Sequence, residues 1–409
     1  MLALVLALLL VPAANTWTVD DDGPADFAQL ADAIAQVAAG DTLLVEPGAY
    51  VGFSLDKRLT ILGRTGVPRP HVTGDVLLSA ATFTVAGVEM EHVLVSGISG
   101  RGRIDDCEIV VPNSTEPAAA LAVVGSSQLV ISRTIVFGES NFSGGTPSAG
   151  SGATIASSRV MLIDCTVFGG WGDDQFGIGG PGPFAGGAGL VVNGSDVVLA
   201  GTTIIGGPGG WPGSPFSSGA AGGPAVSVSS STVRIRGDAT DQLMGGEPGF
   251  NGFTYGSPIK GSNCTVVSSG LQYGGSGFSF SGSQFIQPSV AEPFLLVSGS
   301  AGPGATCGLE LHGPTGAPCL LVASFAPGEA PLAQFDDNLW VGLSGAFVLI
   351  PLVTQGQEAP IELAFQLPAS LAGLEGLSIE MQPFFPGLRS AYQPGKSLAG
   401  NVAEIVLRF

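Results

Sequence analysis

The feature that most constrains this chain is an internal repeat. Four segments can be laid one beneath another: 121–138, 153–170, 192–207 and 228–237. Each holds two short runs of alternating apolar residues joined by a corner of small residues. A serine marks that corner in every copy, at Ser127, Ser158, Ser195 and Ser231, advancing by 31, 37 and 36 residues. A shorter copy, 104–111, places Cys107 27 residues before Thr134. Alternation of period two belongs to strands. A repeat longer than about 20 residues is one unit that buries its apolar face only on its neighbours, so the pattern predicts a solenoid of stacked β coils.

Composition agrees by exclusion. Acids outnumber bases 33 to 14 among 409 residues, a net charge of −19, which excludes a phosphate-neutralising nucleic-acid binder. A hydrophobic content of 45% excludes a charged disordered chain. The 64 glycines and the lack of heptads exclude a coiled coil.

The repeat register predicts neighbours. Cys107 and Cys165 share a column with Thr134 between them. At about 4.8 Å per rung the two thiols lie roughly 9–10 Å apart, beyond the ~7 Å reach of a disulfide, and are expected as buried thiols. The preceding column holds Asp106, Arg133 and Asp164. Two carboxylates around a guanidinium form a candidate catalytic set for polysaccharide cleavage. They fit equally an ion ladder on a solenoid face, and that reading is favoured because nothing else convergent lies nearby in sequence.

After each corner the chain leaves the coil on the same side, in the segments 138–152, 169–189, 206–223 and 245–256. The second and third hold 10 glycines in 21 residues and 8 in 18. A regular register piles these loops along one flank. They carry aromatic residues, of which Trp171, Phe176, Trp211, Phe216, Phe250 and Tyr255 are candidates for stacking on sugar rings; Phe142, Phe184 and Phe253 accompany them. The alternative is that the rings pack on one another to pin loops that lack other side chains. Asp173 and Asp174 are the candidate ligands for a calcium ion, which takes several oxygens.

Leu2 to Val11 form an apolar run followed by Pro12-Ala13-Ala14. The run is too short to span a bilayer and fits a signal peptide over residues 1–15, with Val11 and Ala13 at the cleavage positions. Export to the surface or surroundings of a bacterial cell follows, with no transmembrane span in the mature chain. Cys307 and Cys319, a hairpin-sized gap apart, are the expected disulfide. No Cys/His cluster occurs that would hold zinc.

Beyond the leader, Asp26 reads as an N-cap with Gln29 as its capping-box partner, opening an amphipathic helix 27–39 that Gly40 stops. Strands 41–45 and 59–63 follow. The run Ala33-Ile34 to Ala38, Gly40–Val45, Pro47-Gly48-Ala49-Tyr50 and Leu59–Gly63 resembles the N-terminal cap of the right-handed parallel β-helix (pectin-lyase-like) superfamily. The resemblance implies an all-β, right-handed parallel β-helix solenoid over 16–290, closed by a capping helix. It implies no single chemistry, since the superfamily holds lyases, hydrolases, esterases, epimerases and inert surface proteins. Arg234-Ile235-Arg236 echoes part of a polygalacturonase pattern, but no histidine lies between His92 and His312.

From about Ala291 the pattern changes to eight short strands at sandwich-like spacing, predicting a small C-terminal β-sandwich over 291–409. Phe325-Ala326-Pro327-Gly328, Leu339-Trp340-Val341, Ile350-Pro351-Leu352 and Leu371-Ala372-Gly373-Leu374 resemble the C-terminal sandwich of large secreted proteins of planctomycete-type bacteria. The terminal Ile405–Phe409 also resembles the last strand of an outer-membrane barrel, but the strands are too short to span. The expected function is that of a non-catalytic surface or adhesion-type protein, whose aromatic loops bind extracellular polysaccharide or cell-surface components. The alternative is a polysaccharide lyase or glycoside hydrolase.

Overall fold

A computed structural model describes residues 15–112, 118–140, 149–174, 183–212, 218–289, 292–299, 305–324, 327–330, 332–337, 339–341, 347–355, 360–366, 378–391, 393 and 395–406. The leader expected at 1–15 lies outside them, Asn15 excepted. The chain forms a parallel β-helix. One sheet of 11 strands runs from Thr16–Val19 to Gln284–Ile286, and each strand pairs in parallel with its counterpart one coil away. A second, 16-stranded sheet closes the coil. Like residues stack on like inside. Ile104, Ile131, Leu162, Leu199 and Ile235 are successive partners in one inward column, and all are buried in a single apolar core that runs from Val19 to Val266. At about 1.5–3 kcal/mol for each fully buried aliphatic side chain, this stacking dominates the stability of the coil.

Two corners of each coil turn through the left-handed backbone region. One column is Gly87, Asp106, Arg133, Asp164 and Gly201; the other includes Gly125, Ser157, Gly194, Ser230 and Asn263, with φ between 48° and 69° in both. After the second column comes a ladder of small polar side chains. The hydroxyl oxygens of Ser158, Ser195 and Ser231 accept the backbone N–H of Ser126, Ser158 and Ser195 at 3.0, 3.1 and 3.0 Å. The same hydroxyls donate to the carbonyls of Ala156, Asn193 and Ser229. The first rung is therefore Ser126, one residue before the Ser127 of the sequence alignment. Ser127 is an extra corner residue whose N–H and hydroxyl both bond Ile98 O.

The capping helix is shorter than expected, Leu30–Gln36, with Gln29 at its N-cap position and no side-chain cap. Asp26 instead accepts the backbone N–H and the hydroxyl of Thr18 at 2.8 and 2.9 Å, which ties the first strand to the cap. Phe27 bridges Val19. Leu30, Ala33, Ile34 and Val37 close the core, and Gly40, at φ 103°, ends the turn. The far end of the solenoid is closed by rings: Tyr273, Phe280 and Phe285 surround Phe278 with centroids 4.8–6.0 Å away.

The C-terminal strands form antiparallel sheets. Phe294–Gly299, Thr306–His312 and Ile361–Gln366 make one; Phe347–Val353, Pro318–Ser324, Ser378–Arg389, Ser397–Ala399 and Ala403–Val406 make the other. Alternation along Ser378–Arg389 explains the layering. Met381 and Phe385 face the first sheet in one core, whereas Phe384 faces the β-helix in another. This strand is thus buried on both sides over Glu380–Phe385, whereas Phe347–Val353 of the same sheet exposes Leu349 and Val353.

Asp241, buried in the coil wall, has its carboxyl pushed up to about 6 by burial, with the N–H of Asp238 pulling the other way. The unfolded chain releases this proton near 3.8, so stability falls as pH rises between those values. Asp241→Asn is expected to leave stability unchanged below pH 4 and to raise it by about 1–3 kcal/mol above pH 6. Urea unfolding at pH 4 and pH 8 checks this.

Candidate functional site

The outer face of the 11-stranded sheet carries arginines around an apolar centre. Outward positions hold Arg101, Arg103, Arg159, Arg234 and Arg236 beside Val130, Met161, Ile163 and Val198. The sandwich covers this face with Val322, Trp340, Val341, Phe384, Ala399 and Val402. Trp340, fully buried, lies between the guanidiniums of Arg101 and Arg159, 5.6 and 5.0 Å from its ring centre. Arg101 pairs with Glu380, and Arg236 with Glu292 at 3.0 Å. Asp337 takes both Arg159, at 2.9 Å, and Arg234, at 3.2 Å. Arg103 is lowered by burial, against the pull of Asp105 and Glu380.

The column Asp106, Arg133, Asp164 exists as the register predicted, since the N–H groups of Asp106 and Arg133 bond Ser132 O and Ile163 O. Its ion pairs differ. Arg133 grips Asp105, with Nη2 at 2.6 Å and Nε at 3.2 Å, and Ser132 donates to the same carboxylate at 2.7 Å. Asp106 turns away to Arg69 at 2.8 Å. Asp105 ends a strand and points outward, whereas Asp106 occupies the left-handed corner, so neighbouring carboxylates diverge. Asp164 has its carboxyl pushed up to about 6 by desolvation; Arg133 opposes this, while Glu310 and Asp105 add to it.

The described parts of the glycine excursions form a packed layer. A run of backbone hydrogen bonds of 2.8–3.0 Å crosses them, from Gly150 N–H on Glu139 O through Gly170, Gly187, Gly207, Gly223, Gly246 and Gly256 to Ser276, each N–H on the carbonyl of the one before. The chains approach so closely that a Cβ on Gly207 would lie 1.8 Å from Gly170 O, and one on Gly246 2.0 Å from Gly207 O. This is the steric logic that confines collagen's axis to glycine. Register then brings matching loop positions together. Trp211 and Phe250 of adjacent loops pack together, centroids 5.8 Å apart and tilted 37°. Trp171, Trp211, Phe250 and Tyr255 are 59, 61, 52 and 49% exposed, and Phe253 is 90% exposed. Phe176 and Phe216 lie outside the described residues.

Asp173 and Asp174 sit differently in this packing. Asp173 is buried in the layer, and its carbonyl accepts the N–H of Phe184. Asp174 accepts the N–H of Trp211 at 2.7 Å. Among the described residues, the cluster of carboxylates close enough to share an ion is Asp20, Asp21 and Asp22, at the N-terminal end.

Cys307 and Cys319 are free, buried thiols and not the bridge their gap suggested. Cys307 lies at the end of its strand away from the turn, opposite Phe365; Cys319 lies beside the turn, opposite Leu352, in the other sheet. Burial pushes Cys319 up to about 12. Cys107 and Cys165 also stand as buried thiols, each directed at a carbonyl two residues back.

These features define a parallel β-helix with an arginine-lined face sealed by a sandwich and an aromatic rim on a glycine layer. No family model matches the chain, and no curated protein matches it in sequence. Among solved structures it is similar to pectate lyase Pel9A at 12% identity and a TM-score of 0.37, over 67% of this chain and 79% of that one. It is similar to a rhamnogalacturonan lyase at 14% and 0.25, over 64% and 75%. It is also similar to tailspike protein gp49 of the Acinetobacter baumannii bacteriophage Fri1, a capsular polysaccharide depolymerase, at 9% and 0.26, over 97% and 82%. The fold assignment rests on the strand register.

Proposed function

We propose that the protein is an exported, non-catalytic surface protein that binds extracellular polysaccharide through its aromatic rim. The observation that carries this reading is the pair Trp211 and Phe250, packed together half-exposed on loops tied by backbone hydrogen bonds, with Phe253 and Tyr255 nearby in sequence and exposed. Rings fixed by the backbone lose little entropy on binding and offer apolar faces to sugar C–H groups. Three of the arginines that could serve a lyase as proton abstractors, Arg159, Arg234 and Arg236, are engaged in ion pairs under the sandwich. Among the described residues, no helix is long and apolar enough to cross a membrane.

Trp211→Ala and Phe250→Ala are each expected to weaken retention on immobilised polysaccharide tenfold or more, about 1.4 kcal/mol, with unchanged thermal unfolding. Full retention by both variants would discard the reading. The catalytic alternative rests on Asp164, whose raised carboxyl stands beside Arg133. Release of unsaturated products from acidic polysaccharide, abolished in Arg133→Ala, would establish it.

A further inference from the structure

We propose that the cleft where the sandwich meets the coil corners, with the groove that continues from it, is a separate binding site for a neutral oligosaccharide. The cleft, of about 330 Å³, lies between Arg159 and Arg234 of the solenoid and Phe335, Asp336 and Lys396 of the sandwich. An open groove of about 830 Å³ runs on along the second corner, and Asp196 belongs to both. Each lies within the ~300–1,000 Å³ of ligand clefts, and joined at Asp196 they suit a chain of several sugar units.

Charge selects the ligand class. Arg159, Arg234 and Lys396 are balanced by Asp196, Asp336 and Asp337, so the cleft has no net charge, and the chain around it is strongly acidic. An anionic glycan gains nothing from such a field. Hydroxyl groups both donate and accept, and they match a wall where cationic donors alternate with carboxylate acceptors. Asp337 is consumed by its two arginines at 2.9 and 3.2 Å. Asp196 stands farther from the same two, at 3.7 and 3.6 Å; its Oδ1 is buried on the Arg234 side, and with the side chain 41% exposed it is Oδ2 that is open to a ligand hydroxyl.

The groove floor is periodic. Thr232, Thr265 and Gln284 follow Asp196 in one column, a rung apart. The rung spacing of about 4.8 Å is close to the length of one sugar unit in an extended glycan, so successive hydroxyl and amide groups meet successive sugars. The site is independent of the aromatic rim, which lies on the glycine layer.

The test is calorimetric titration of the full chain with neutral hexasaccharides of gluco, manno and galacto configuration, and with hexagalacturonate as the anionic comparator. At least one neutral hexasaccharide is expected to bind. Asp196→Ala is expected to weaken it at least tenfold, and Thr265→Trp, which fills the open groove from outside, to abolish it. Trp211→Ala with Phe250→Ala should leave it within twofold. Unfolding midpoints confirm that each variant is folded. The proposal is overturned if no neutral hexasaccharide binds, if hexagalacturonate binds more tightly than every neutral one, if Asp196→Ala and Thr265→Trp both leave the affinity unchanged, or if the rim double variant removes the binding.

Discussion

Gly207→Val is expected to cost about 3 kcal/mol or more, at or above the upper end of ordinary overpacking penalties. Gly207 N–H bonds Gly187 O, its carbonyl accepts from Gly223, and its Cβ would sit 1.8 Å from Gly170 O. The obstacle is backbone on the neighbouring loop, so no rotamer change relieves it. The layer must part, and its hydrogen bonds part with it. Gly125→Ala is the control. Gly125, unlike Gly207, sits in the left-handed region at φ 62°, but nothing lies within 4 Å of a Cβ there, and Ser157 and Ser230 of its column already carry side chains in that conformation. Its cost is limited to the left-handed penalty, roughly 1–2 kcal/mol. Equilibrium denaturation of both variants decides the point: a loss for Gly207→Val no larger than that for Gly125→Ala would mean that the close approach carries no extra cost.

Asp337→Ala is expected to cost about 3–5 kcal/mol, the range for leaving a buried charge without its partner. Asp337 is fully buried and holds two guanidiniums, and the Arg234 side chain is only 3% exposed. Arg234 is raised by Asp337 and then Asp196 against the opposing effect of burial, so Asp337→Ala removes the strongest of the charges that offset the burial of its own and leaves Asp196, Asp336 and Glu292. The weakened element is the seam between sandwich and solenoid, where Trp340 stacks between Arg101 and Arg159. A red-shifted tryptophan emission at denaturant concentrations below the main transition is the expected signature. Glu46→Ala, which breaks the exposed pair with Arg64, is the contrast, at about 0–1 kcal/mol. A loss for Asp337→Ala no larger than this would show that the seam is held by its apolar contacts alone.

Much of the architecture was legible because a solenoid repeats its physics. The columns Cys107–Thr134–Cys165 and Asp106–Arg133–Asp164 could be read off by counting, since each rung lies one strand spacing from the next. The Ser126-Ser127 pair misled by one residue, because adjacent serines give the alignment no preference and only the hydrogen bond to Ser158 fixes which one is the rung. Asp26 misled in another way: a carboxylate before a helix satisfies whichever N–H is nearest, and the first strand brought Thr18 closer than the helix end.

The sequence alone determined that the chain stacks β coils, caps them with a short helix and concentrates glycine on one flank. All three follow from local periodicity and composition. Tertiary structure decided what those features are for. The glycines were legible as loops, but their role depends on carbonyls mostly more than ten residues away meeting the place a Cβ would fill. The arginines at 101, 159 and 234 alternate along strands like any surface charge, and their burial depends on a sandwich more than 100 residues later folding over them. The cleft at Asp196 exists only where those two units meet. Periodicity is a property of neighbours in sequence, whereas close approach, ion pairing and clefts belong to neighbours in space.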